Sequence, residues 1–180
     1  MKSTYLSFVF VLLIIFSGCV SDQENTQIIF ERDVKAIRDY LEKNPISAVK
    51  TLEDNATGLG IYWTEVSGSG ILPAVGDSVY VNYVGKLLNG TVFDTSIESV
   101  ARANNIFSSS RNYAPLEVRF GYGQVIPGFE FALSKMEKGD KATVFMPSLY
   151  GYGSYPVGSI PANSPLAFEL EIVDIVKPRN

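Results

Sequence analysis

Apolar residues recur along this chain with three rhythms, and each predicts a different kind of segment. From Tyr5 to Phe16 they run almost unbroken behind Lys2, interrupted only by Ser7. That run falls short of the about 20 residues a membrane-spanning helix needs and suits the core of an export signal. Phe30, Val34, Ile37 and Leu41 then recur at intervals of four, three and four. This spacing lines one face of an amphipathic helix. Asn44-Pro45 ends it, because proline has no N–H to donate and pushes its predecessor out of helical geometry. The helix is expected to pack on the following domain or on a second copy, and residues 44–58 read as a linker.

Beyond Leu59 the rhythm becomes two. Val79, Val81 and Tyr83 alternate with Tyr80, Asn82 and Val84, a strand of β-branched and aromatic residues. Asn89-Gly90 predicts a hairpin turn into Thr91-Val92-Phe93, and Pro115 to Phe120 a further short strand. Phe129, Leu133 and Met136 share a face of a short helix, which Gly139-Asp140 closes before a strand from Lys141 to Pro147. From Ala167 to Ile172 apolar residues alternate with Glu169 and Glu171, so one face is core and the other is wet. Antiparallel strands with one short helix make an α+β domain over residues 59–180.

Composition narrows the chemistry. The 180 residues carry a net charge of −4 with no basic run, which leaves nucleic acid no electrostatic footprint. Histidine is absent and cysteine occurs once, at Cys19. Ser-His-Asp and Cys-His catalysis are thereby excluded, as are nearly all zinc sites and any intrachain disulfide. No metal and no cofactor are expected.

Cys19 closes the sequence Phe16-Ser17-Gly18-Cys19, which resembles a bacterial lipobox with Phe where Leu is usual. The resemblance implies a signal peptide over residues 1–18 and a lipid on Cys19, whose two or three acyl chains would hold the protein stably on a membrane. Residues 19–58 would then be an acidic tether, the short helix and the linker. Val20 rather than Asp follows the cysteine, so the retention signal for the inner membrane is missing. Ser21-Asp22-Gln23-Glu24 is similar to surface-export signals of Bacteroidota lipoproteins. The expected place is the cell envelope, on the outer rather than the inner membrane, facing the periplasm or the surface.

Three stretches resemble one family. Val81 to Ser96 is similar to the V-x-Y-x-G-x-L-x-x-G-x-x-F-D-S-S block of FKBP-type peptidyl-prolyl isomerases, and Gly123 to Phe129 to the last seven positions of their G-x-x-x-V-I-x-G-[WF]. Pro147 to Gly153, with Ile160-Pro161 and Leu166-Ala167-Phe168, resembles the closing Y-G-Y-G … I-P block. The resemblance implies a twisted antiparallel sheet wrapped around one short helix. Carried over residue by residue, it puts Tyr83, Phe93, Val125, Ile126, Phe129, Ile160 and Phe168 around a substrate pocket, with Phe129 as its floor in place of the common Trp. Asp94 would stand beside the twisting amide and Tyr152 would offer its hydroxyl to a substrate carbonyl. Partners implied are proline-containing polypeptides and macrolide-type inhibitors. The lipobox and helix ahead of the domain resemble lipoprotein FKBPs of Bacteroidota, gliding-motility relatives among them.

Two departures stand out. The region from Ile97 to Tyr113 is longer than the family's compact loop, and either Arg102 or Arg111 could pair with Asp94. The segment 154–159 is slightly short, with Tyr155 near the place of a capping side chain. The activity implied is acceleration of X-Pro rotation by an apolar pocket that favours the twisted amide. A non-catalytic chaperone, or an interaction module of an envelope complex, would use the same pocket or the 97–113 insert.

Overall fold

The computed structural model describes residues 22–178, so the leader read over residues 1–18 and the lipidation expected at Cys19 lie outside the described residues. In chain order the elements are α1 (Asp22–Lys43), β1 (Lys50–Asp54), β2 (Leu59–Glu65), β3 (Ser78–Leu87), β4 (Val92–Thr95), α2 (Glu98–Ala103), β5 (Leu116–Arg119), α3 (Pro127–Leu133), β6 (Lys141–Met146), a 3-10 turn (Ser148–Tyr150) and β7 (Leu166–Val176). The strands form one antiparallel sheet in the order β1-β2-β6-β7-β3-β4, and β5 also pairs with β3. The α+β architecture expected from the sequence is present, with α3 packed in the sheet's hollow.

Alternation along the strands sorts two apolar faces. Val79, Val81 and Tyr83 of β3, Val144 and Met146 of β6, and Leu166, Phe168, Leu170 and Ile172 of β7 join Phe129, Ala132 and Leu133 of α3 in the main core. Phe145 and Ala167, the residues in between, point the other way and meet Ile37 of α1, with Tyr40, Leu41, Tyr62 and Leu88 around them. The predicted apolar stripe of the helix therefore covers the back of the sheet. Pro127 opens α3, where a missing N–H costs nothing, and Gly128 lets the helix approach β6, since a Cβ there would lie 2.7 Å from Met146 Sδ.

Two expectations are corrected. The helix runs from Asp22 to Lys43, well beyond the stripe between Phe30 and Leu41. The stretch 44–58 is not an irregular linker, because β1 within it pairs with β2 from Lys50↔Trp63 to Asp54↔Leu59. Its sequence, Lys-Thr-Leu-Glu-Asp, is that of a charged edge strand, and charge on an edge guards against pairing with other chains. Only Leu52 packs on the core, so no period-two apolar signal existed to read.

Below β2, Asp140 is buried and accepts hydrogen bonds from Trp63 Nε1 (3.0 Å), the Ser67 N–H (2.8 Å) and the Glu137 N–H (2.9 Å). These bonds tie the entry of β6 to the exit of β2.

Candidate active site

Strand β3 changes partners at Tyr83, and the change makes the site. Its first half pairs with β5 (Ser78↔Arg119 to Val81↔Leu116) and its second half with β4 (Val84↔Thr95 to Lys86↔Val92). In the gap, the Tyr83 N–H donates to Ser96 Oγ (2.9 Å), while its carbonyl accepts from the Thr95 hydroxyl (2.7 Å) and the Ser96 N–H (3.1 Å). Thr95 and Ser96 are buried, so their hydroxyls supply what a neighbouring strand would otherwise give. The parted strands leave a cavity of about 400 Å³ lined by Tyr83, Asp94, Leu116, Gln124, Val125, Ile126, Phe129, Tyr152 and Phe168.

Its walls are aromatic edges and faces. Phe129 meets Phe168 at 5.3 Å and 84° and Tyr83 at 6.1 Å and 81°, both edge-on arrangements that suit the ring quadrupoles. Phe129 is buried beneath the cavity, where the sequence expected a floor. Phe93 and Ile160, expected beside the others, do not line this cavity. Phe93 sets its edge against Phe168 (5.6 Å) and Tyr152 (6.4 Å), while Ile160 is buried in the core and bridged to Val157. Leu116 and Gln124 do line it, though Leu116 lies outside the motifs and Gln124 holds an unspecified position within one. Gly85 makes room for this packing, because a Cβ there would sit 2.5 Å from the Phe93 ring and 2.9 Å from Phe168.

One polar cluster stands at the rim. The Tyr83 hydroxyl donates to Asp94 Oδ2 (2.6 Å), and Arg111 donates to Asp94 Oδ1 through one guanidinium nitrogen and to the Tyr83 hydroxyl (2.8 Å) through another. Of the two candidate arginines, then, Arg111 is the partner. Arg102 instead pairs with Glu98 one turn back (2.7 Å) and lies over the Phe107 ring at 3.5 Å. The insert is anchored to the domain. Ala101 of α2 is fully buried, and Phe107 stacks on Tyr113 at 5.6 Å. Burial, and then the bond to Asp94, push the Tyr83 phenol up to about 12, with Arg111 pulling the other way. Burial and the Asp94 charge also raise Tyr152. Burial works against the Arg111 guanidinium, yet Asp94 and Tyr83 hold it above its ordinary value. Asp94 accepts from both Tyr83 and Arg111, and both phenols stay protonated around neutrality. The site can shape and orient a substrate, and among the described residues nothing groups three His, Cys, Asp or Glu side chains about a metal.

A sequence profile for FKBP-type peptidyl-prolyl cis-trans isomerase matches residues 70–173. The chain is 38% identical over 110 residues to FK506-binding protein 1 of Aspergillus oryzae, covering 60% of this chain and 90% of that one. It is 37% identical over 157 residues to the FKBP-type 22 kDa peptidyl-prolyl cis-trans isomerase of Escherichia coli, covering 82% and 69%. With the FKBP-type isomerase FkpA of Aeromonas hydrophila it shares 37% identity over 117 residues, spanning 65% of this chain and 38% of that relative's length. The crystal structure of a peptidyl-prolyl cis-trans isomerase from Pseudomonas syringae superposes with a TM-score of 0.60 at 26% identity, covering 84% of this chain and 96% of that one. The matched span takes in both parted strands, α3 and the loop carrying Tyr152, so the chain belongs to the FKBP-type peptidyl-prolyl cis-trans isomerases, enzymes of X-Pro bond rotation.

Proposed function

We propose that this isomerase acts on X-Pro bonds of envelope or surface proteins while held to a membrane by a lipid on Cys19, with Asp94 and Tyr152 as its catalytic residues. One observation carries the site assignment. Asp94, locked by Tyr83 and Arg111, stands at the rim of a cavity walled by the rings of Phe129, Tyr152 and Phe168 and by the aliphatic Leu116, Val125 and Ile126.

A prolyl amide resists rotation by about 18–20 kcal/mol, because resonance gives its C–N bond double-bond character. At the twisted transition state that resonance is lost, the carbonyl oxygen holds less charge, and the nitrogen becomes pyramidal. A dry aromatic cavity favours this less polar state over the planar one, which water stabilises. The proline ring would rest on Phe129 between Val125, Ile126 and Phe168. Asp94 would face the rotating carbonyl carbon, and the Tyr152 hydroxyl would hold a flanking carbonyl. The Ile126 N–H opens α3 without an acceptor among the described residues and is free to hold another. The same apolar floor would take a macrolide-type inhibitor.

The membrane link rests on the lipobox-like Phe16-Ser17-Gly18-Cys19, and the Ser21-Asp22-Gln23-Glu24 that follows supports an outer-membrane lipoprotein of the Bacteroidota kind. Among the described residues no helix is long and apolar enough to cross a membrane. Growth of cells with labelled palmitate tests the lipid, which Cys19→Ala would abolish. For catalysis, cis-to-trans relaxation of a Leu-Pro peptide is followed with wild type and with Asp94→Ala. Acceleration that drops about tenfold in the variant, near 1.4 kcal/mol, supports the assignment. No acceleration by folded wild type would sink it and leave a chaperone that grips proline segments without turnover.

A further inference from the structure

Asp33 is fully buried and sits on α1, outside the span matched by the isomerase profile. A buried carboxylate needs partners, and the ones Asp33 takes are informative. Its Oδ2 accepts the Ser148 N–H (2.9 Å) and the Ser148 hydroxyl, and its Oδ1 pairs with Arg32 (2.7 Å). Ser148, itself buried, begins the 3-10 turn ahead of Tyr152. The Ser148 carbonyl accepts the N–H groups of Gly151 (3.0 Å) and Gly153 (2.9 Å), one on each side of Tyr152. The Gly153 carbonyl accepts the Asn163 N–H (2.8 Å), and Arg32 donates to the Asn163 carbonyl (2.6 Å). Two neighbouring side chains of one helix therefore hold both ends of the segment 148–163. Between these ends Ile160 is buried and bridged to Val157, while Leu149, Tyr155 and Val157 are exposed. The helix is also seated closely there, because a Cβ on Gly58 would lie 2.6 Å from Val34 and 3.0 Å from Pro147.

We infer that Asp33 and Arg32 are positioning residues of the isomerase, through which α1 fixes the loop that presents Tyr152 to the cavity. The inference rests on the site reading above and extends it to a helix the family profile does not include. Fixing the loop removes conformational freedom that a substrate would otherwise have to remove on binding.

Two measurements on the full chain in mild detergent decide it. In the first, amide hydrogen exchange is compared for wild type, Asp33→Ala, Asp33→Asn and the exposed-site variant Arg32→Ala, which keeps the test alive if Asp33→Ala fails to fold. Exchange at Gly151, Gly153 and Asn163 should quicken about tenfold while β7 amides such as Ile172 hold their protection. Asp33→Asn, which keeps an acceptor oxygen for Ser148, should recover part of the loss. Loop amides that stay protected in Arg32→Ala and in every folded Asp33 variant would overturn the inference. In the second, kcat/KM is measured for Asp33→Ala with and without Tyr152→Phe. Action through Tyr152 gives about a tenfold loss alone and under about twofold in the Tyr152→Phe background. Equal losses in both backgrounds mean general destabilisation and overturn it. If Tyr152→Phe alone leaves the rate unchanged, the reading of Tyr152 fails, and hydrogen exchange still judges the role of α1.

Discussion

Arg111 joins the 97–113 insert to the cavity by binding Asp94 and the Tyr83 hydroxyl with separate nitrogens of one guanidinium. A planar guanidinium offers these acceptors two donors in fixed geometry, whereas a lysine ammonium is a flexible point charge. Arg111→Lys should therefore lower kcat/KM severalfold and Arg111→Ala about tenfold, whereas Arg102→Ala, whose pair with Glu98 is exposed, should change it less than about twofold. Peptide kinetics on the three variants checks this, and equal losses from Arg102→Ala and Arg111→Ala would refute it.

The phenols at the site should leave the enzyme indifferent to pH across the neutral range. Tyr83 is pushed up to about 12 and Tyr152 is raised too, so both donate normally while free tyrosine, at about 10, would begin to ionise. Folded values above the unfolded one mean that the stability these groups contribute is complete below about pH 10 and is lost as pH rises toward 12. We expect a flat kcat/KM from about pH 6 to 9, with denaturation midpoints falling only above about pH 10. A phenol titrating near pH 8.5 in the activity profile would contradict the geometry.

Gly85→Ala should damage packing and chemistry together. The added methyl would meet the Phe93 and Phe168 rings at 2.5 and 2.9 Å, so Phe93 must swing away from its edge contacts. Overpacking of this kind costs about 1–3 kcal/mol. Urea denaturation and the peptide assay on one sample should show both effects, and a variant matching wild type in each would show that the ring can yield without loss.

Asp140→Ala should cost stability and spare the cavity. It removes the acceptor for Trp63, Ser67 and Glu137, leaving one buried and two part-buried donors unmatched at a cost of about 1–3 kcal/mol. Burial pushes the Asp140 carboxyl upward, but the Ser67 and Glu137 N–H groups outweigh it and hold the carboxyl below its ordinary value. That contribution is present above the unfolded value of about 3.9 and disappears as pH falls through the folded one. Between about pH 5 and 3, wild type should lose more stability than Asp140→Asn in chemical denaturation.

The sequence made the interior legible wherever burial imposed a period. Strands such as β3 and β7, with one face in the core, announced themselves by alternation, and the aromatic cavity followed from motif residues fixed by that same face. Strand β1 did not, since an edge strand of charged residues owes its place to the backbone of β2 rather than to its own side chains. The partner of Asp94 could not be chosen because Arg102 and Arg111 are chemically alike, and only the α2 turn and the Phe107–Tyr113 stack direct one inward. Asp33 was hidden for another reason. A single acidic residue on an amphipathic helix reads as solvated, and its burial depends on Ser148, far along the chain.

Strand β7, the last in chain order among the described residues, lies between β6 and β3 in the middle of the sheet. It meets β3 across most of the domain's length, from Leu87↔Leu166 to Ser78↔Val176. A ribosome or translocon releasing this chain from its N-terminus would hold α1, both halves of the parted edge and the cavity-floor helix outside while the sheet still lacked its central strand. Pairings between such distant segments form slowly and reward the chain only once both are free. The isomerase should thus become active in a single step only once β7 has emerged, and a nascent chain arrested before Leu166 should have no active site.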